Sequence, residues 1–255
     1  MKTDTFNHAF RFAGLTDIGK LRDSNMDEVI LCPELGFFAV SDGMGGLMGG
    51  KTASEFVKKS MPALMELCVK ECAQHGDIER AAQSFCAMVQ KMSDELFLAG
   101  NAQGRYLYGA TFCGVWLTRD KAIFVNLGDS RSYLLPRYKK NLRQVTEDQN
   151  LAALMVKNGE LKKEEAKSHP ASSRLSSFVG MQAPATPEVF IRDISSGDRI
   201  ILCADGLYGM IEERDTAKLM RSSRSPERVC RHLVYKANEN GGRDNISAVY
   251  IHIHG

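Results

Sequence analysis

The period of apolar and polar positions changes several times along the chain, and each change predicts an element. Residues 10–15 and 28–32 have strand composition, and the polar groups Asp17-Ile18-Gly19 and Arg22-Asp23-Ser24-Asn25 lie between them, which predicts a hairpin. The apolar run Gly36-Phe37-Phe38-Ala39-Val40 predicts a buried strand leading directly into Ser41-Asp42-Gly43-Met44-Gly45-Gly46. From Ala53 the spacing turns helical through Phe56, Val57, Leu64, Leu67 and Cys68, with Pro62 expected to mark a kink or a fresh start. A second helix is predicted over 77–98.

Strand-like runs then return at 108–118, 121–127, 132–135 and 142–145, joined by short polar turns. Consecutive strands with short links imply antiparallel pairing, because parallel neighbours need a long crossover. Residues 150–159 predict a short amphipathic helix ending in glycine, and the polar stretch 162–173 predicts a mobile segment packed on the surface. Two more strands follow at 189–194 and 199–204, then helices at 212–221 and 226–240 and a closing strand at 245–253. Runs of strands framed by helix pairs favour an α+β layered sandwich over alternating βαβ units. No repeat or linker interrupts the pattern, so residues 1–255 are expected to form a single domain.

Composition narrows the function. The 33 basic and 31 acidic side chains leave a formal charge of +2, too little for a global field that gathers nucleic acid or anionic lipid. The seven cysteines are odd in number and lie within apolar runs, which points to buried thiols in a reducing compartment and not to disulfides or zinc. Asp4, Asn7 and His8 interrupt the start where a signal peptide needs an apolar core, and no stretch reaches membrane-spanning length, so a cytoplasmic location is expected.

Three aspartates fall where strand gives way to loop: Asp42, Asp205 and Asp244. Oxygen donors without neighbouring Cys or His suit magnesium or manganese. Each Asp-Gly alone is foremost a turn signal. The conjunction carries more: Arg22 to Asp27, Asp42-Gly43-Met44-Gly45-Gly46, Gly109-Ala110-Thr111, Gly128-Asp129-Ser130-Arg131, Leu202-Cys203-Ala204-Asp205-Gly206-Leu207 and Gly242-Arg243-Asp244-Asn245-Ile246. In this order, over nearly the whole chain, the sequence resembles the metal-dependent protein phosphatases, the type 2C serine/threonine class, and more closely its compact bacterial members.

The resemblance implies a four-layer αββα sandwich, two antiparallel sheets flanked by helix pairs, with a metal cleft at one end. It implies two or three Mn2+ or Mg2+ ions. Asp42 would bridge two of them, the Gly43 carbonyl would bind one, and Asp205 and Asp244 the other; Asp27 would act through bound water, and Asp129 with Asp205 would form a third-metal site. Arg22 would hold the substrate phosphate through its planar fork. Residues 148–184 resemble the family's flap. The implied activity is hydrolysis of phosphoserine and phosphothreonine in proteins, with a serine/threonine kinase or its targets among the partners. Met26 and Gly209 depart from the residues usual in the family, which bears on one water-mediated contact and on the third-metal site.

Two rivals share these residues. Gly45-Gly46-Leu47-Met48-Gly49-Gly50-Lys51-Thr52 fits the phosphate-loop pattern of an NTPase, which would require parallel strands. A catalytically silent phosphoprotein sensor would be favoured if a metal ligand were missing, and none is. The remaining features have plain readings. Cys68 with Cys72 forms one helix face, His252 with His254 one strand face, and Trp116 is core. Arg137, Lys139, Lys140 and Arg143 read as a solvated hairpin, and Arg221, Arg224, Arg228 and Arg231 as a helix surface.

Overall fold

The computed structural model describes residues 9–45, 49–72, 77–101, 108–182 and 184–254. The chain starts in β1 (Ala9–Asp17), crosses to β2 (Asp27–Cys32) and β3 (Phe37–Met44), and then forms two long helices, α1 (Gly49–Cys72) and α2 (Ile78–Leu96). It continues through β4 (Gly109–Ala110), β5 (Phe112–Leu117), β6 (Lys121–Leu127), β7 (Arg131–Leu135) and β8 (Arg143–Gln144). Two short helices follow, α3 (Leu151–Lys157) and α4 (Lys163–Ala166), then β9 (Glu188–Asp193) and β10 (Arg199–Cys203). The end of the chain comprises α5 (Asp205–Tyr208), α6 (Glu213–Arg221), α7 (Pro226–Glu239) and β11 (Ile246–His254).

The strands form two sheets, ordered β1-β11-β10-β7-β8 and β2-β3-β5-β6-β9, with β4 attached to β3. All strand pairs among the described residues are antiparallel. The phosphate-loop alternative fails on this point, because β3 is flanked on both sides by antiparallel neighbours. Lys51 lies in the first turn of α1 and faces Glu55, while Gly46, Leu47 and Met48 of that pattern, like Asp4, Asn7 and His8, lie outside the described residues.

Period-two alternation supplies each sheet with two apolar faces. Val249, Ile251 and Ile253 of β11 meet Phe38, Val40, Val115 and Phe124 between the sheets. Ala248 and Tyr250 point the other way, into a layer closed by Met220 of α6 and Val229, Leu233 and Ala237 of α7. On the far side, Phe37, Trp116 and Ile123 pack under Val57, Met61 and Met65 of α1 and Phe85, Val89 and Met92 of α2. These three apolar layers between four layers of structure form the expected αββα sandwich.

Two local expectations change, and a third segment gains detail. β1 and β2 do not form a hairpin: β1 pairs with β11 and β2 with β3, so the intervening loop passes from one sheet to the other. α1 starts at Gly49 and runs through Pro62 without a break, since burial of Met61, Leu64, Met65 and Cys68 along one face outweighs the one backbone bond the proline cannot make. Residues 162–173 contain regular structure, α4 and a 3-10 turn at Pro170–Ser173, where the ring nitrogen of His169 accepts from the Ala171 amide.

Candidate metal centre

The sheet-switching loops converge at one end of the sandwich, and the candidate residues converge with them. Asp42 does not follow β3 but lies within it, directly across from Asp27 on β2. Its backbone is held from the other side: the Asp42 amide donates to Thr111 Oγ1 at 3.0 Å, and the Thr111 amide donates to the Asp42 carbonyl at 2.8 Å. Thr111 Oγ1 lies 2.7 Å from Ser130 Oγ, so the Gly109-Ala110-Thr111 and Gly128-Asp129-Ser130-Arg131 motifs jointly fix the strand that carries Asp42.

Gly43 follows in a space with no room for a side chain. A Cβ there would lie 2.1 Å from the Gly50 carbonyl oxygen and 2.7 Å from that of Met26. Asp205 opens α5, and Gly206 behind it is just as constrained, since a Cβ would lie 2.0 Å from the Asn245 carbonyl oxygen. Asp244 lies two residues before β11; its Oδ1 accepts from the Asn245 amide at 2.9 Å, and its Oδ2 receives Nη2 of Arg22 at 2.6 Å.

The carboxylates are buried against one another, and their proton affinities record it. Burial first, then the charge of Asp27 and Asp205, raises Asp42 well above the ordinary 3.8. Asp27 is 3% exposed and raised to about 7, chiefly by burial. The proximity of Ser247 and Asp42 tempers the rise, but the Ser247 hydroxyl donates to Thr16 at 2.8 Å and neither Asp27 oxygen is within hydrogen-bond geometry of a partner. Asp129 reaches about 7 through burial and then Asp205; Asp205 reaches about 6 through burial and then Asp244, and its buried Oδ1 is also without a partner. Arg22 is held more basic by Asp244 first, with smaller contributions from Asp205 and Asp42.

This environment fits divalent cations. All of its side-chain donors are oxygens, three of those oxygens are buried without partners, and the mutual repulsion is of the kind that hard cations relieve. Among the described residues no three carboxylates already form a closed cage, and Asp244 is engaged by Arg22.

Residues to which the sequence assigned no role hold this arrangement in place. Asn245 is 3% exposed; its Nδ2 donates to the carbonyls of Ile18 at 2.9 Å and Ser24 at 3.0 Å, and its Oδ1 accepts from the Met26 amide at 2.8 Å. It thereby ties both ends of the Arg22 loop to the start of β11. Within that loop Gly19 adopts φ 79°, and a Cβ there would lie 2.3 Å from the Asp244 carbonyl oxygen. On the Asp129 side, Arg131 donates to both oxygens of Asp148 at 2.8 and 2.7 Å and lies 3.8 Å over the Tyr208 ring, while the Tyr208 hydroxyl donates to the Asp129 carbonyl at 3.0 Å. The asparagine beside Asp244 was the available sequence signal for the first cluster. For Tyr208 there was none.

Comparison with known proteins agrees with this geometry. Residues 29–238 match the protein phosphatase 2C family. The serine/threonine phosphatase stp of Listeria monocytogenes is 29% identical over 92% of this chain and 93% of its own. A serine/threonine phosphatase of Mycobacterium smegmatis, solved in complex with cacodylate, superposes with a TM-score of 0.78 at 28% identity over 96% of this chain and 98% of its own. The catalytic domain of the phosphatase PstP, solved in complex with two manganese ions, shares the fold with a TM-score of 0.80 at 24% identity over 96% and 99%. With the six motifs gathered at one end of an αββα sandwich, the chain belongs to the protein phosphatase 2C family, the metal-dependent serine/threonine protein phosphatases.

Proposed function

We propose that Asp42, Asp205 and Asp244, with the Gly43 carbonyl, hold two Mn2+ or Mg2+ ions, and that Arg22 holds the phosphate of a phosphoserine or phosphothreonine side chain. Asp27 and Asp129 stand beside this set, Asp129 with Asp205 forming a third cation position. The observation that carries the reading is the approach of Arg22, Asp42, Asp205 and Asp244 from four distant stretches of chain to one set of mutually sensed charges. When bound, the cations supply an acidified water and polarise the phosphoryl oxygens.

The protein's own groups bind and orient. The Arg22 side chain is 47% exposed and uses one of its five N–H donors on Asp244, leaving the others for phosphate oxygens. Asp244 thus sets the direction of the guanidinium as well as serving as a ligand. Asp27, across from Asp42 on the neighbouring strand, would act through cation-bound water and not as a direct ligand. The segment 148–184, with α3, α4 and the Pro170–Ser173 turn, is the candidate flap that selects among protein substrates. Proposed partners are phosphorylated proteins, including a serine/threonine kinase or its targets, in the cytoplasm. No helix among the described residues is long and apolar enough to cross a membrane.

The test is hydrolysis of an aryl phosphate and of phosphothreonine peptides with and without manganese. Asp205→Asn should lower turnover roughly 100-fold or more, the range expected when a metal's support is lost. Arg22→Ala should mainly raise KM for the peptides. Turnover that survives a chelator, or is undiminished in Asp205→Asn, contradicts the assignment.

A further inference from the structure

The pole of the sandwich opposite the cleft gathers a band of basic side chains. Arg11 on β1 stands beside His252 on β11, which stands beside Arg199 on β10, a cross-strand row on one face of the sheet. Arg224 joins this row: the His252 imidazole is held below its ordinary 6.5 by burial first and then by Arg199, His254, Arg11 and Arg224. The two basic runs that read from sequence as a solvated hairpin and a helix surface are physically joined here. The Arg221 guanidinium, at the end of α6, donates to the carbonyls of Lys139 and Lys140 on the β7–β8 hairpin. Arg137, stacked 5.1 Å from the exposed ring of Tyr138, extends the band.

Arg11, Arg137, Lys139, Lys140, Arg221 and Arg224 are all exposed, and none of them, nor Arg199, forms an ion pair among the described residues. The one buried acid within the band, Asp198, is committed to the backbone amides of Arg137 and Ser195. In a chain whose formal charge is only +2, this many unpaired cations on one pole are a local concentration that overall balance conceals.

The shape narrows the partner. Between the outer edge of β1 and the start of α7 lies an open groove of about 520 Å3, lined by Phe10, Arg11, Phe12, Arg224, Pro226 and Glu227 among others. Among the described residues β1 is the last strand of its sheet, with β11 as its only strand partner. An edge strand beside a groove is where an extended chain adds main-chain hydrogen bonds while its side chains settle alternately. The lining mixes apolar surface with two guanidiniums and one carboxylate. The Phe10 and Phe12 rings pack inward on Phe38 at 5.6 and 5.0 Å and offer no stacking platform to bases. An extended peptide fits these features better than a nucleic acid or a flat lipid surface.

We propose that this pole is a docking surface for an acidic segment of a partner protein, taken up along the edge of β1 and drawn in by the band from Arg11 to Arg137. Counted along β11, His252 lies about 20 Å from Ile246, two residues after Asp244, so a segment docked there leaves the cleft open.

The test is fluorescence anisotropy of a labelled decaglutamate peptide with the full chain, at low and at physiological salt. Binding should weaken as salt rises. It should fall about tenfold or more in Arg11→Glu/Arg221→Glu/Arg224→Glu, and by a smaller factor in the corresponding Gln triple. It should persist in the control Lys59→Glu/Lys70→Glu/Lys91→Glu, which changes charge equally on the outer faces of α1 and α2. Binding should also survive a chelator, and manganese-dependent aryl phosphate turnover should stay unchanged in both triples, which separates this inference from the assignment of the cleft. Equal weakening in the control triple, binding that vanishes with metal removal, or tighter capture of oligothymidine or phosphatidylglycerol vesicles through the same arginines would overturn it.

Discussion

One end of the sandwich is dominated by carboxylates and the other by guanidinium and ammonium groups, yet the two impose opposite demands on the protein. At the cleft, Asp27 is buried and Asp42, Asp129 and Asp205 are half-buried, and their proton affinities climb through loss of solvation first and the charge of neighbouring carboxylates second. At the other pole, arginines and lysines of similar number stay in solvent, where repulsion is screened. Burial, more than charge count, decides which cluster costs the fold stability and which is merely available for binding. The first requires a counter-ion to be comfortable. The second can wait for one.

The largest effect that should separate the two ends is the pH dependence of metal-stripped protein. Asp27 and Asp129 rise from 3.8 to about 7 and Asp205 to about 6, so the folded state holds protons that the unfolded chain has released. Their contribution is fully present below about pH 4 and is lost as pH rises through 6 to 7. In chelator, thermal unfolding should therefore show stability falling by a few kcal/mol across that window, since one pKa unit is about 1.4 kcal/mol and the repelling groups share the penalty. Asp27→Asn should flatten the curve, and manganese should abolish the fall at pH 7. A flat curve for the stripped parent would show that the carboxylates are not confined as described.

A smaller effect should follow from Asn245→Ala, which removes three hydrogen bonds and leaves the buried amide of Met26 without its acceptor. A loss of about 2–3 kcal/mol is expected. Because the Arg22 loop is released, KM for phosphopeptides should rise more than kcat falls, and Asn245→Asp should recover only part of the loss. Equal kinetics in parent and variant would reduce Asn245 to a structural group. The smallest effect belongs to the basic pole, where the Arg11→Gln/Arg221→Gln/Arg224→Gln protein should unfold within about 0.5 kcal/mol of the parent.

The same contrast explains what could be read from the sequence. Asp42, Asp205 and Asp244 were visible because each sits in a short motif whose glycines are demanded by close backbone approach, as the gap between Gly43 and Gly50 shows. The strands and both helix pairs were legible through period, whereas their division into two sheets rested on the family resemblance. The β1–β2 hairpin was misread because apolar alternation says which residues are buried but not which sheet receives them, and polar turn residues serve a crossover as well as a hairpin. Pro62 does not begin a fresh helix, because the local cost of a proline is set against a helix face whose burial is tertiary. The joining of residues 137–140 to Arg221 was invisible for a related reason: the bonds link positions 81 and 82 residues apart through backbone carbonyls, which leave no trace in side-chain pattern.

The most direct measurement is calorimetric titration of manganese into stripped protein at pH 6 and at pH 8, in buffers of different ionisation enthalpy, for the parent and Asp42→Asn. If buried carboxylates with raised proton affinity hold the cations, binding to the parent should release protons at pH 6 and few at pH 8, and Asp42→Asn should bind far more weakly. Proton release that is the same at both pH values, or manganese affinity unchanged in Asp42→Asn, would contradict the account.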